Sequence, residues 1–249
     1  MSRELHVHLL PTLFEPSALR GGVAVVIDVL RASTTIVHAL AAGARAVVPC
    51  LTVDEARTFA ANHPADEILL GGERGGKLID GFDLDNSPQR YTQSAVRGKT
   101  IIFTTSNGTQ ALLRSGQADR ILIGAFVNLS IVVETLLSYD RPIHLVCAGT
   151  YGTLTAEDVL CAGAIAKRHR EAGGEFDWAD DSTQLALDFF AAYSHDQAAL
   201  LNAVRAGHGG RNLTTLGFEE DIRRAATYDL FRLVPEYSPH SGRIEIATN

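Results

Sequence analysis

The sequence predicts an α/β fold: a three-layer αβα arrangement with a mostly parallel or mixed sheet and C-terminal helices packed on it. In three segments a β-branched run ends in a small or polar loop that leads into a helical pattern. These segments are GVAVVIDVLRASTTIVHALAAG, KTIIFTTSNGTQALLRSG and IHLVCAGTYGTLTAEDVLCAGAIAKRH. Parallel strands need crossovers and read as continuous apolar runs, so the alternation indicates a largely parallel sheet covered on both faces.

The remaining elements follow the same alternation along the chain. Shorter strand candidates are RAVVP (45–49), EILL (67–70) and RILIGAF (120–126), each followed by a polar turn or by a helix start such as TVDEARTFAAN or NLSIVVETLL. From about residue 182 the apolar spacing is helical, in STQLALDFFAAYSH and DQAALLNAVRAG. We predict a single domain over residues 1–249, with a weak subdivision near residue 180.

Composition and charge restrict the classes of function. The chain has 249 residues, 46% hydrophobic and 20% charged, which suits an ordinary globular protein with a sizeable core. The net charge of −7 and the absence of a Lys/Arg run argue against a nucleic-acid partner. No apolar stretch approaches the length of a membrane helix, and the polar start SRELHVH does not resemble a signal peptide, so we expect a cytoplasmic protein.

The three cysteines, Cys50, Cys147 and Cys161, lack the C-x-x-C spacing of a zinc or redox site. We therefore predict buried thiols. Buried sheets of this kind often pair between subunits, so a homodimer is the expected assembly.

The stretch VVIDVLRAST (25–34) raises the first question about function, because Asp28 ends an apolar strand. In open α/β sheets ligands gather outside the carboxyl ends of strands, where loops turn into helix N-termini. A local role is the alternative, with Asp28 bonding its own turn and Ser33 or Thr34 capping the helix. Arg31 favours a phosphate site, since one loop then holds a carboxylate, a guanidinium and free helix amides.

Two other strand ends carry polar residues. TTSNGTQ places Thr105, Asn107, Gly108 and Thr109 where hydroxyls and amides could hold an oxyanion, although an Asn-capped helix start explains the pattern as well. In TLTAEDVL, Thr155 and Asp158 have the spacing of a capping box. Capping explains one acid better than two, so a further role for Glu157 and Asp158 remains open.

The loop LLGGERGGKLIDGFDLDNSP (69–88) contains Gly71, Gly76 and Lys77 at the spacing of a nucleotide-binding P-loop. That reading makes an NTPase the first rival function. The pattern fails at position 78, which is Leu instead of Ser or Thr, and no helical pattern follows it. We interpret the segment as a flexible active-site loop that carries acids toward a cation.

Spacing also tests other phosphate chemistries. A cysteine phosphatase needs an arginine six residues after its nucleophile, where this chain has Ala56, Thr153 and Lys167. An aspartyl-phosphate enzyme usually has a second acid two residues after the first, where this chain has Leu30, so covalent chemistry is disfavoured. Metal-assisted attack by water then remains, and hard carboxylate ligands suit Mg²⁺.

The ordered blocks resemble the 2-phosphosulfolactate phosphatase family over roughly residues 23–235. The blocks are VVIDVLRASTTIVHAL, LLGGERGG, GFDLDNSP, NGTQAL, VCAGTYG with AEDVLCAGAI, and LGFEEDI. The resemblance implies a Mg²⁺-dependent acid phosphatase that hydrolyses 2-phospho-3-sulfolactate, a step of coenzyme M biosynthesis. Asp85 stands where the family pattern has glycine, which adds a charge near the expected site.

We predict specific roles within these blocks. The expected Mg²⁺ ligands are Asp28, Glu73 and Asp158; the expected phosphate-binding residues are Arg31, Ser33, Thr34, Thr105, Asn107, Gly108 and Thr109. Arg74 is expected to bind the sulfonate or carboxylate, and Glu157 to position the attacking water. The alternatives are a phosphatase for another phosphorylated 2-hydroxy acid, the nucleotide-binding protein, and a non-catalytic module that binds anions.

Overall fold

A computed structural model describes residues 4–174, 177–178 and 180–247, with the backbone alone for 177–178. The strands are β1 (Glu4–His8), β2 (Val23–Ile27), β3 (Ala46–Pro49), β4 (Ile68–Arg74), β5 (Lys77–Leu78), β6 (Thr100–Thr104), β7 (Arg120–Gly124), β8 (Ile143–Cys147), β9 (Asp177–Trp178), β10 (Pro235–Ser238) and β11 (Arg243–Ile246). The helices are α1 (Ala32–Ala41), α2 (Val53–Ala61), α3 (Gln93–Val96), α4 (Gly108–Arg114), α5 (Leu129–Leu137), α6 (Ala156–Glu171), α7 (Asp181–Tyr193), α8 (Gln197–Ala206), α9 (His208–Thr215) and α10 (Glu219–Ala225).

The predicted α/β class is confirmed, and the sheet has two parallel halves. Its order is β5-β4-β6-β3-β11-β10-β7-β2-β8-β1-β9. One half contains β7, β2, β8, β1 and β9, and the other contains β3, β6 and β4. Between them lies the antiparallel hairpin β10–β11, which pairs with β7 on one side and with β3 on the other. The sequence did not predict this hairpin, since the C-terminal region was expected to be helical.

Helices cover both faces of the sheet, as expected for strands that are apolar throughout. Every residue of β2 is buried, because one face packs against α5–α8 and α10 while the other packs against α1 and α4. Side chains of β2, β7, β10, β11, β3 and β6 share a single core with α1 and α4. These two helices, which follow β2 and β6, pack on the same face of the sheet, and the loops that lead into them lie side by side.

The start of α4 shows how close this approach is. A Cβ atom at Gly108 would lie 2.7 Å from Oδ2 of Asp28 and 2.7 Å from Cβ of Ala32. No side chain fits at this position without displacing the loop after β2. Glycine here lets the carboxyl ends of strands from the two halves meet at one place.

The helical pattern after residue 182 corresponds to α7 and α8, whose apolar faces share a core with β1, β2 and β8. All three cysteines are free and buried, as predicted. No helix in the described ranges is long and apolar enough to cross a bilayer. The single-domain division and the homodimer stay predictions.

A stack of histidine rings lies beside β1, near the start of β8. Nε2 of His8 lies 3.1 Å from Nδ1 of His144, and the rings of His6 and His144 stack with centroids 5.0 Å apart. Asp180 and Glu4 contact His6 from either side. Burial, and then the neighbouring histidines, lower the pKa of His8 to about 4 and that of His144 to about 3. The folded protein thus holds both rings neutral.

We expect this stack to make the protein less stable in mild acid. The unfolded chain protonates these rings near pH 6.5 and the folded chain does so only near pH 4 or below, so stability falls as the pH drops through that interval. His144→Gln should reduce the loss of unfolding free energy between pH 6.5 and pH 4 by about 3 kcal/mol. Denaturant unfolding at several pH values measures this difference. His240→Gln is the control, because His240 is exposed. Parallel curves for wild type and His144→Gln would contradict the expectation.

Candidate active site

A cavity of about 160 Å³ is formed where the loops after β2, β4, β6 and β8 meet the start of α9. Each of these loops follows the carboxyl end of a strand, which is where α/β proteins usually bind ligands. The polar wall residues include Asp28, Arg31, Glu73, Asn86, Thr105 and Asn107. Four of these six were predicted from their positions after strands β2 and β6, and Glu73 from the glycine-rich segment.

Asp28 lies at the base of this cavity and is 7% exposed. Its Oδ1 accepts a hydrogen bond from the backbone N–H of Ala32 (3.1 Å), and its own N–H donates to Oγ of Ser33 (2.9 Å). Both interpretations of the sequence therefore hold in part: the aspartate caps its own turn through Oδ1, and the residue also lines the cavity, with Oδ2 next to Gly108.

Arg31 is held by a buried ion pair that the sequence did not reveal. Its Nη1 donates to Oδ2 of Asp221 (2.8 Å), and both side chains are 2% exposed. Nη2 donates to the carbonyl oxygen of Gly76 (2.8 Å), and the guanidinium carbon lies 4.4 Å from the ring centroid of Phe218. The cation is therefore fixed in position before any ligand arrives.

The glycine-rich segment forms a hairpin instead of a flexible loop. β4 continues to Arg74, and after a turn at Gly75 and Gly76, β5 pairs back on it in antiparallel register. A P-loop needs a helix N-terminus directly after the glycines to present its amides, and here a strand follows. This geometry does not support the nucleotide-binding alternative.

Glu73 and Arg74, neighbours on β4, occupy different surroundings. The carboxylate of Glu73 lines the cavity and accepts hydrogen bonds from the N–H groups of Gly76 (2.7 Å) and Ser106 (2.8 Å). The guanidinium of Arg74 instead donates to the carbonyl oxygens of Glu73 and Leu51 and to Oγ1 of Thr104. Three of its five N–H donors are engaged by the chain itself and Arg74 is not among the residues that line the cavity, so the predicted sulfonate or carboxylate contact has no support from this geometry.

The predicted hydroxyl groups divide between the cavity and the core. Thr105 and Asn107 line the cavity, and Oδ1 of Asn107 accepts the N–H of Tyr151 at the rim (2.8 Å). Ser33 and Thr34 donate to the backbone carbonyls of Val26 and Val29. Thr109 lies behind Thr105, 3.3 Å from its hydroxyl. Ser33, Thr34 and Thr109 thus support the loops structurally, and a direct phosphate contact by them stays a prediction.

Glu157 and Asp158, at the start of α6, are both buried behind the wall. Asp158 accepts hydrogen bonds from the N–H of Val29 (2.8 Å), the N–H of Gly149 (3.0 Å) and the hydroxyl of Thr155 (2.9 Å). It therefore ties the loops after β2 and β8 to α6.

Glu157 is satisfied on one side only. Its Oε1 accepts the N–H of Gly209 (3.1 Å), whereas no described group bonds to Oε2. Gly209, which lines the cavity, separates the glutamate from it, because a Cβ there would lie 2.0 Å from Oε1.

The acids around the cavity repel one another. Burial, followed by the charge of Asp158, raises the pKa of Asp28 well above its usual range. Burial likewise raises the pKa of Glu157 and that of Asp158, each to about 7, with a neighbouring acid adding to the effect. In the described part of the chain, none of Asp28, Glu73, Glu157 and Asp158 forms an ion pair. A bound cation would relieve this unbalanced charge.

The predicted Mg²⁺ ligands fit that cation only in part. Among the described residues, no group of three or more His, Cys, Asp or Glu side chains is arranged to hold a metal ion by itself. Asp28 and Glu73 do share the cavity wall, and Mg²⁺ is commonly held by one or two carboxylates together with waters and substrate phosphate. The pair suits Mg²⁺ with substrate bound, whereas Asp158 is already engaged with the chain.

Two residues of this site were not predicted from the sequence: Asn86, which lines the cavity, and Asp221, which fixes Arg31. The blocks GFDLDNSP and LGFEEDI contain them, but no local pattern distinguishes either residue from its neighbours. His208 lies in the glycine-rich AGHGGRNL, which suggests a place at the cleft, and it does line the cavity. Asp85, the departure from the family pattern, caps its own turn by accepting the N–H of Ser87 (2.8 Å).

Comparison with known proteins shows which family the chain resembles. The family model of 2-phosphosulpholactate phosphatase matches residues 8–240. A "Probable 2-phosphosulfolactate phosphatase" of Symbiobacterium thermophilum is 40% identical over 220 residues, covering 88% of this chain and 93% of the relative. Proteins with the same description from Thermotoga maritima and Synechococcus are 41% identical over 212 residues (85% and 87% covered) and 42% identical over 215 residues (85% of each).

Proposed function

Because the chain belongs to the 2-phosphosulfolactate phosphatase family, we propose that it hydrolyses the phosphate ester of 2-phospho-3-sulfolactate, releasing sulfolactate and phosphate, with Mg²⁺ as cofactor. The main structural support is that one cavity holds two buried carboxylates, Asp28 and Glu73, beside the fixed guanidinium of Arg31. A phosphate monoester needs both charge neutralisation and orientation, and these groups can supply both. A place in a route toward coenzyme M is part of the same proposal.

The chain's own residues have distinct parts in this mechanism. Arg31 binds phosphoryl oxygens through its remaining N–H groups, since Asp221 and Gly76 use one terminal nitrogen each. Thr105, Asn107 and the loop that carries them border the same cavity and orient the phosphate. Asp28 and Glu73 would hold Mg²⁺, which when bound neutralises phosphoryl charge and lowers the pKa of a coordinated water.

Two alternatives differ in what they require of this site. A module that only binds anions gains nothing from unpaired buried acids such as Asp28 and Glu73, which would repel its ligand. A phosphatase for another phosphorylated 2-hydroxy acid would use the same groups for the phosphate. It would differ only in what binds the acid arm of the substrate, the carboxylate or sulfonate that is not transferred. The experiment must therefore vary both substrate and metal.

Phosphate release from phosphosulfolactate, phospholactate and ATP, each with Mg²⁺ and with EDTA, tests the proposal. We expect Mg²⁺-dependent release, fastest from phosphosulfolactate. Preferred release from phospholactate would retain the mechanism and change the substrate. Release in EDTA at the same rate would contradict the Mg²⁺ requirement, and turnover of ATP alone would contradict the phosphatase proposal.

A further inference from the structure

Asn86 is a buried polar residue whose side chain the protein itself leaves unused. It is 3% exposed and lines the cavity, yet no described group bonds to its carboxamide oxygen. Buried side-chain amides in folded proteins are nearly always hydrogen-bonded, so an unpaired one in a residue that lines a cavity calls for an explanation, and a bound ligand is one. The carboxamide nitrogen carries two further N–H donors, which are available to a ligand in the cavity.

The backbone around Asn86 is firmly held, although its side chain is not bonded. The carbonyl oxygen of Asn86 accepts a hydrogen bond from Oγ1 of Thr35 (2.8 Å), one turn after Arg31 on α1. The hydroxyl of Ser87 donates to Oδ1 of Asp221 (2.7 Å), whose other oxygen binds Arg31. The backbone of Asn86 is therefore held by α1, and its neighbour Ser87 is held by the same aspartate of α10 that binds Arg31.

The charges around the cavity indicate which part of a substrate the wall at Asn86 and Arg31 can bind. Asp28 and Glu73 would repel any anionic group that is not neutralised by a cation. An asparagine amide beside an arginine offers donors without adding negative charge. Arg74, which the sequence predicted for the acid arm of the substrate, is not among the residues that line the cavity, and three of its five N–H donors bond to Glu73, Leu51 and Thr104. The acid arm needs another partner.

We propose that Asn86 binds the acid group of the sulfolactate half of the substrate, the carboxylate or sulfonate that is not transferred, and so determines substrate specificity. This inference rests on the proposed function. The donor pair of the amide faces one or two anionic oxygens while Arg31 engages the phosphate alongside. Phosphate esters that lack an acid arm would not use this contact.

Calorimetric titration of the protein with sulfolactate, and separately with inorganic phosphate, tests the assignment in the absence of turnover. Asn86→Ala is expected to weaken sulfolactate binding about tenfold to a hundredfold, as for loss of a hydrogen bond to a charged group, and to leave phosphate binding within twofold. Asn86→Asp, which keeps the shape and adds a negative charge, should weaken sulfolactate binding further. Asn212→Asp is the matched control, since Asn212 lines the same cavity but is exposed.

The outcomes separate this inference from the proposed function. Three results would overturn the assignment even if wild type releases phosphate. The first is that Asn86→Ala weakens the binding of sulfolactate and of phosphate equally, and the second is that both Asn86 variants keep the wild-type affinity for sulfolactate. The third is that Asn212→Asp has an effect as large as that of Asn86→Asp. Asn86-dependent binding of sulfolactate without any phosphate release would support the assignment and overturn the function. Thermal unfolding shows whether each variant is folded. If Asn86→Ala is not folded, Asn86→Asp alone tests the assignment.

Discussion

Asp28→Asn is expected to lower phosphate release by about a thousandfold or more while the protein stays folded. Asparagine keeps the oxygen that accepts the N–H of Ala32, so the turn after β2 is preserved. The substitution removes the carboxylate charge with which Asp28 would hold the proposed cation. Loss of one such electrostatic contribution is worth about 4 kcal/mol, which corresponds to that factor. Initial rates at saturating Mg²⁺ measure the effect.

The same substitution should stabilise the metal-free protein. Asp28 and its acidic neighbours Glu73, Glu157 and Asp158 are buried without a cation, and removing one charge relieves their repulsion. We expect a higher unfolding temperature for Asp28→Asn than for wild type in EDTA, and a smaller difference with Mg²⁺ present. Asp85→Asn, which alters an acid that caps its own turn, serves as control for both measurements. Normal turnover by Asp28→Asn would contradict the assignment of this residue.

The sequence predicted the parts of the site that depend on local pattern. The strand-loop-helix units around β2, β6 and β8 could be recognised because a buried parallel strand is apolar along its whole length. Those units place Asp28, Arg31, Thr105 and Asn107 after strand ends, and all four line the cavity. Glu73 was expected to reach a cation from a flexible loop, and it does line the cavity, from a hairpin.

The parts that depend on distant contacts could not be predicted. The hairpin β10–β11 enters the sheet between β7 and β3. Tyr237 of β10 pairs with Ile121 of β7, which is far from it in sequence. Because this hairpin lies between the two parallel halves, the local pattern could not show that Gly108 and Asp28 meet. Asp221 is one of three successive acids at the start of α10, a pattern that also suits the helix dipole, so nothing local marks it as the partner of Arg31.

Asp221→Asn is expected to lower the free energy of unfolding by about 3–5 kcal/mol. The guanidinium of Arg31 would remain buried without a counter-charge, which is the costly outcome for a buried pair. Oδ1 of Asp221 also accepts from Ser87 and Gln89, so the substitution loosens the loop that carries Asn86. Denaturant unfolding measures the change. Glu134→Gln is the matched control, because the Arg232–Glu134 pair has the same 2.8 Å distance but is 70% and 49% exposed, and we expect a change below about 1 kcal/mol.

The double variant Arg31→Met with Asp221→Leu separates stability from function. Replacing both partners of a buried ion pair with apolar residues of similar volume is often neutral or stabilising, because neither charge is then left unpaired. We therefore expect the double variant to recover most of the unfolding free energy that Asp221→Asn loses, and to release no measurable phosphate. Recovered activity would show that Arg31 does not bind the substrate. Recovered stability without activity would mean that the ion pair serves to hold the Arg31 guanidinium in place for phosphate, since apolar residues at the two positions stabilise the fold equally well.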